Sequence, residues 1–281
     1  MQPVVPASAG PRLQILNWRA PLVPTPADHV SLAICLRGGL EIDTPEGPFQ
    51  LSRRQLLTLP PHAGVTSAVG AGLGLLVSVP PMLLTTPSRT RGRGRVPPVF
   101  ACRSPAPLDV LLQATALLRH GDGWNDDTRM LRALQVMRLA LAGQTEVHAW
   151  LQRVPGRSDA HRRNTLHRLL RARHAIVNTP FEDHDLDSLA LAANYSKSHF
   201  LRTFRDVFGQ TPGALLTVSR IAMAKSLMSE GAMGIGEIAA DVGYTSRCAF
   251  SRMFKSRVGE SASNFRRRLT ESAVLTPHCG S

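Results

Sequence analysis

The sequence predicts an α+β protein: an N-terminal all-β region of barrel or sandwich type with trailing helices, then an all-α region of two similar units joined by a long helix. Three observations predict it. Over the first hundred residues, short apolar runs alternate with Gly and Pro at intervals of roughly ten residues, the pattern of short strands and turns. From Leu108 the apolar spacing becomes helical. Further on, one stretch occurs twice, "SKSHFLRTFRDVFG" from Ser196 and "SRCAFSRMFKSRVG" from Ser246, with Gly209 matching Gly259.

Length and composition limit what such a chain does. Its 281 residues suffice for two ordinary domains, and 43% hydrophobic against 19% charged residues exclude wholesale disorder. A net charge of +13 and a pI of about 11.1 favour a polyanionic partner, nucleic acid before membrane, over an acidic small substrate. The only lysines are Lys197, Lys225 and Lys255. Arginine suits bidentate contacts to phosphate and guanine, although a codon bias explains the skew equally well. Cys35, Cys102, Cys248 and Cys279 form no CxxC pair or zinc spacing, so they are expected as small core residues in a reducing cytosol, with no structural metal and no cofactor. "MQPVVPASAGPR" lacks the charged leader and apolar core of a signal peptide, which predicts a cytoplasmic protein. Residues 55–88 carry no formal charge, but Gly64, Gly70, Gly72, Gly74, Pro80 and Pro81 break them into strands and turns rather than a membrane span.

In chain order, "HVSLAICLRGG", "LEIDTPEGPFQL", "RRQLLTLPPHAG" and "GLGLLVSVPP" supply strands of a barrel over about residues 12–100. Arg89, Arg91, Arg93, Arg95 and Arg103 cluster in "SRTRGRGRVPPVFACR", either a solvated loop or an extra DNA contact. Helices follow over about 108–152. Met130, Leu134, Met137 and Leu141 make one apolar stripe there, with Arg129, Arg132 and Arg138 elsewhere; the stripe either packs on its own β-region or forms a dimer seam. "RVPGRSD", Arg153 to Asp159, combines Pro, Gly and charge between two helical patterns. It places the first domain at 1–152, a linker at 153–160, an all-helical domain at 161–269 and a tail at 270–281. Residues 153–281 hold 19 Lys or Arg against 11 Asp or Glu, a larger excess than the 14 against 9 of residues 1–152.

The repeat carries the functional signal. Phe200, Phe204 and Phe208 recur every four residues as one apolar helix face, matched by Phe250, Phe254 and Val258. Lys197, Ser198, Arg202 and Arg205 lie off the first row, and Arg247, Ser251, Arg252 and Lys255 off the second. Each copy ends at a Gly suited to a left-handed C-terminal position. Ahead of each helix, "DLDSLALAANYS" and "IGEIAADVGYTS" predict a shorter helix, a turn at Asn194 or Gly243, and a cap from Ser196 or from Thr245 or Ser246. Helix, tight turn and capped helix with a basic outer face is the helix-turn-helix plan.

With "LALAANYSKSHFLRTFRDVFGQTP", "RIAMAKSLM" and "IGEIAADVGYTSRCAFSRMFKSRVGES" quoted together, residues 161–269 resemble the DNA-binding domain of the AraC/XylS family of bacterial transcription regulators. The resemblance implies two units entering successive major grooves about 34 Å apart, joined by a helix to which Arg220, Ile221, Ala224 and Leu227 belong. It implies DNA contacts from Lys197, Ser198, Leu201, Arg202, Arg205, Arg247, Cys248, Ser251, Arg252 and Lys255, with Arg202 and Arg252 as equivalent anchors. A salt bridge orienting each helix is the other role open to those two arginines. Departures from the family pattern fall at Ser246, Cys248, Ala262 and Leu201, where the last is suited to a thymine methyl. The implied protein is an activator on double-stranded promoter DNA, with RNA polymerase, a second copy of itself and a small-molecule effector as partners.

The N-terminal region, with "LLTLPPH" ending a strand, resembles the cupin-like barrel that many members use to sense a ligand. An enzymatic cupin needs an HxH pair, whereas residues 20–100 hold only His29 and His62, so His62 is expected in a turn and the protein is not expected to be an enzyme. Trp18, Arg37 and His62 are pocket candidates that no sequence feature selects. Asp122, Asp126 and Asp127 lack EF-hand spacing and fit a turn starting a helix. His161, His167 and His174 lack the i, i+4 spacing of a zinc pair and fit a solvated basic helix. A barrel enzyme with a DNA-binding tail and a non-specific DNA-coating protein are the competing functions.

Overall fold

The structure, a computed structural model, describes residues 10–17, 22–45, 47–85, 98–120, 126–231 and 233–274. Trp18, Arg89, Arg91, Arg93, Arg95, Asp122 and Cys279 lie outside the described residues. The chain divides into two compact units, Met1–Leu170 and Arg171–Ser281.

In the first unit, β1 (Arg12–Leu16), β2 (Val30–Arg37), β5 (Gln55–Leu59), β7 (Leu73–Val79) and β8 (Cys102–Pro105) form a five-stranded sheet in the order β1-β7-β2-β5-β8. β3 (Gly39–Thr44), β4 (Gly47–Ser52) and β6 (Ser67–Val69) form a second sheet in the order β4-β3-β6. The expected strands are therefore present, but among the described residues no ladder joins the two sheets, and both are open where a barrel would close. Side chains hold them together instead. Ala33, Leu57 and Leu76 stand in register across the large sheet and share a core with Leu40, Ile42, Phe49 and Leu51 of the small one. Their neighbours Ile34, Leu56 and Leu75 point to the opposite face, where α1 (Leu108–His120) and α2 (Asp126–Ala142) cover them. The central strands read as continuous apolar runs because both of their faces are buried.

The stripe on α2 belongs to that second core: Met137 and Leu141 are buried in it, and Met130 and Leu134 pack against its edge. It is intramolecular packing, not a dimer seam. Asp126 and Asp127 begin α2 as expected. Arg103 differs from its expectation, because it sits in β8 and its Nη1 donates to the Gln50 carbonyl at 2.7 Å instead of lying in a solvated loop. His62 occupies the turn after β5 with φ of 80°, and Cys35 and Cys102 are buried. Cys248, by contrast, is exposed rather than core.

"RVPGRSD" lies where α3 (Thr145–Arg153) gives way to α4 (Asp159–Asn178). The two compact units divide at Leu170/Arg171, within α4, where no Pro or Gly marks the change in sequence. Nor is α4 a solvated helix all round: Leu166, Leu169, Leu170, Ala172 and Ile176 are buried, while His161, His167 and His174 occupy its remaining positions.

The second unit comprises α5 (Leu186–Ala192), α6 (Lys197–Phe208), α7 (Pro212–Glu230), α8 (Ile235–Asp241), α9 (Arg247–Val258) and α10 (Ala262–Val274). α10 runs into the expected tail. Each short helix leads through a tight turn into a longer one, and α7 joins the pairs.

Candidate nucleic-acid interface

Local chemistry starts and stops each helix. The Asp185 side chain caps α5 by accepting from the N–H groups of Asp187 at 2.6 Å and Ser188 at 3.0 Å. The Ser188 N–H, the Ser188 hydroxyl, the Asp187 N–H and the nearby Lys197 hold the Asp185 carboxyl below its ordinary pKa. At α8 the Glu237 carboxylate reaches back to accept from the Gly234 N–H at 2.6 Å. The turns follow at Asn194, φ 56°, and Gly243, φ 87°. Gly243 has a second requirement: a Cβ there would lie 2.8 Å from the Phe181 carbonyl and 2.9 Å from Arg220 Nη2. Ser246 caps α9 by accepting from the Ala249 N–H at 3.1 Å, whereas Ser196 stands at the N-cap of α6 without a side-chain bond. Gly209 and Gly259 end α6 and α9 at φ 74° and 89°, each donating its N–H back to the helix.

The phenylalanine rows set the rotation of the longer helices. Phe200 and Phe204 are fully buried with rings 5.4 Å apart, and Phe250 and Phe254 are fully buried with rings 5.6 Å apart. At about 100° per residue, rings four places apart share the buried face, and side chains two places from a ring, about 200° around the helix, turn outward. Ser198, Arg202 and Arg205 are exposed on α6, and Cys248, Arg252 and Lys255 are exposed at the equivalent places on α9. No side-chain hydrogen bond or ion pair engages Arg202, Arg205, Arg252 or Lys255 among the described residues, so neither matched arginine is held in a helix-orienting salt bridge there.

The other predicted residues lie at the margins of these faces. Lys197 Nζ contacts Asp187 of α5 at 2.9 Å, an exposed pair of little energetic weight. Arg247 passes Gly236 at the corresponding place on α8. Ser251 and Leu201 are half-buried. Leu201 lines an apolar cavity of about 330 Å³ with Ile176, Leu186, Leu189 and Leu216, so its side chain leans toward the core side of α6.

One structural residue was assigned only to a joining helix by sequence. Arg220 of α7 donates through Nε to the Pro180 carbonyl at 2.8 Å and through Nη2 to the Glu182 carbonyl at 3.1 Å, and its guanidinium stacks 5.5 Å from the Tyr244 ring. It ties the entry to the first helical pair to the turn of the second. Burial raises the Tyr244 pKa, against the opposing effect of Arg220 and Arg257. Nothing in local periodicity marks this clamp, since its partners lie far away in sequence.

Comparison with known proteins concentrates on this half of the chain. Residues 189–268 match the model of a family described as helix-turn-helix domain. The chain is 34% identical over 85 residues to the regulatory protein SoxS of Escherichia coli, which covers 30% of this chain and 79% of SoxS. It is 33% identical over 98 residues to the RCS-specific HTH-type transcriptional activator RclR of Escherichia coli, covering 35% of this chain and 34% of RclR. It covers about a third of the length of RclR and of the other longer curated relatives it matches. Among solved structures it is similar to the C-terminal domain of AraT, a response regulator from Geobacillus stearothermophilus, at 29% identity and a TM-score of 0.35 over 41% of this chain and 91% of that one.

Proposed function

This chain belongs to the AraC/XylS family of transcription regulators, and from that premise we propose that it binds promoter DNA sequence-specifically by seating α6 and α9 in successive major-groove segments. One observation carries the reading: two helices of the same plan present Ser198, Arg202 and Arg205, and Cys248, Arg252 and Lys255, at matching exposed positions, with no side-chain partner for any of the four cations among the described residues. Arg202 and Arg252 anchor the helices at guanine edges or phosphates, and the residues around them supply flanking contacts. Activation through RNA polymerase follows the direction named for RclR, and the strand-rich unit serves as sensor. A homodimer stays within the proposal through the exposed Leu108 and Leu112 of α1, now that the α2 stripe is core.

Genome-wide mapping of bound sites tests the function, because a shared motif separates a regulator from a DNA-coating protein. On a mapped site, Arg202→Ala and Arg252→Ala should each weaken specific binding by about 1–3 kcal/mol and relax preference at one base. Footprints of the two variants should each lose one of two protected segments about one helical turn apart. If random-sequence DNA displaces the site as well as specific DNA does, or both variants leave affinity and footprint unchanged, the proposal fails.

A further inference from the structure

Within the first compact unit, the turn after β5, the segment entering β8 and the first half of α4 enclose a cleft of about 320 Å³. That volume lies at the small end of the range for organic ligands. Pro60, Pro61, Pro98, Val99 and Phe100 supply rigid apolar walls, and His62, Arg163, Asn164 and His167 supply the polar groups. Among the described residues no carboxylate lines it.

Arg163 is fixed from behind, because its Nη2 is held by Asp159. Its Nε is buried and has no hydrogen-bond partner among the described residues, an unmade bond that an acceptor in the cleft would complete. Asn164, one residue on, is exposed and brings an amide. His62 is one of three non-glycine residues with positive φ among the described residues, and its N–H donates to the Ala27 carbonyl at 2.6 Å. Such backbone persists where surrounding structure imposes it, and ligand sites are where it gathers. Since Asp159 already offsets part of the Arg163 charge, the cleft matches one negative charge better than two.

We propose that this cleft binds a small monocarboxylate with an aromatic or short aliphatic body, its carboxylate on Arg163 and Asn164 and its apolar part against Pro60, Pro98 and Phe100. The site is chemically independent of the DNA-facing helices, so its test contains no DNA and fails or succeeds apart from that reading. The full chain is titrated calorimetrically with phenylacetate, with octanoate, and with phenylacetamide as the uncharged match. At least one acid should bind with a single-site isotherm, with phenylacetamide about tenfold or more weaker than phenylacetate if that is the acid bound, and Arg163→Gln and Asn164→Asp should each lower acid affinity by about tenfold or more. Asn164 is exposed, so Asn164→Asp should leave thermal unfolding unchanged and decides the matter if Arg163→Gln destabilises α4. Absence of heat from both acids at millimolar concentration, equal binding of phenylacetate and phenylacetamide, or undiminished acid binding by Asn164→Asp would each overturn the proposal.

Discussion

The α5–α6 pair and the α8–α9 pair reach the same outline through different local means. The first opens on a side-chain cap from Asp185, the second on a glutamate that reaches back to a glycine N–H. The first turns at an exposed asparagine with φ of 56°, the second at a glycine hemmed in by Phe181 and Arg220. In the first, Leu201 borders an apolar cavity; in the second, Ser251 stands at that position and Phe265 of α10 adds a ring 5.6 Å from Phe254. What they share is the pair of buried rings and the cations that those rings turn outward. Caps and turns are interchangeable solutions to one backbone problem, whereas the ring-to-arginine spacing sets which way the basic face points.

That comparison is most severely strained by removing the rings. Phe204→Ala and Phe254→Ala should each cost about 3–5 kcal/mol, since each also takes a ring contact from a third phenylalanine, Phe208 in the first pair and Phe265 in the second. Urea titration followed by circular dichroism measures both, and a cost below about 1 kcal/mol for either would break the equivalence of the two cores. Next in size is the turn. Gly243→Ala should cost more than the roughly 1–2 kcal/mol of a left-handed residue alone, because its Cβ would meet the Phe181 carbonyl and Arg220. Asn194→Ala, at an exposed position whose side chain already carries a Cβ, should stay near or below about 1 kcal/mol in the same titration. Equal costs would mean that the Arg220 clamp does not constrain the second turn. The smallest contrast lies in the caps: Ser246→Ala should lose about 1 kcal/mol of stability, and Ser196→Ala, which breaks no side-chain bond, almost none. A matching loss at Ser196 would show that its hydroxyl caps α6 in solution.

By itself the sequence determined what depends on near neighbours. The repeat, the Phe200–Phe204 and Phe250–Phe254 faces, the positive φ at Asn194 and Gly243 and the stops at Gly209 and Gly259 follow from helical periodicity and backbone sterics within a dozen residues, and the outward positions of Arg202 and Arg252 follow from those in turn. Tertiary structure alone decided the rest. Alternating apolar runs specify strands, not whether the edges of two sheets meet, so an open pair of sheets was indistinguishable from a barrel. The Met130–Leu141 stripe specifies an apolar face, not its partner, which proved to be the chain's own large sheet. Leu201 lies on the border between the buried and exposed faces of α6, where only its neighbours Leu186, Leu189 and Leu216 settle which side it takes. Arg220 and the Pro60–Arg163 cleft join residues 40 and about 100 positions apart, and contacts across such distances depend on how packed elements meet, for which a one-dimensional pattern holds no signal.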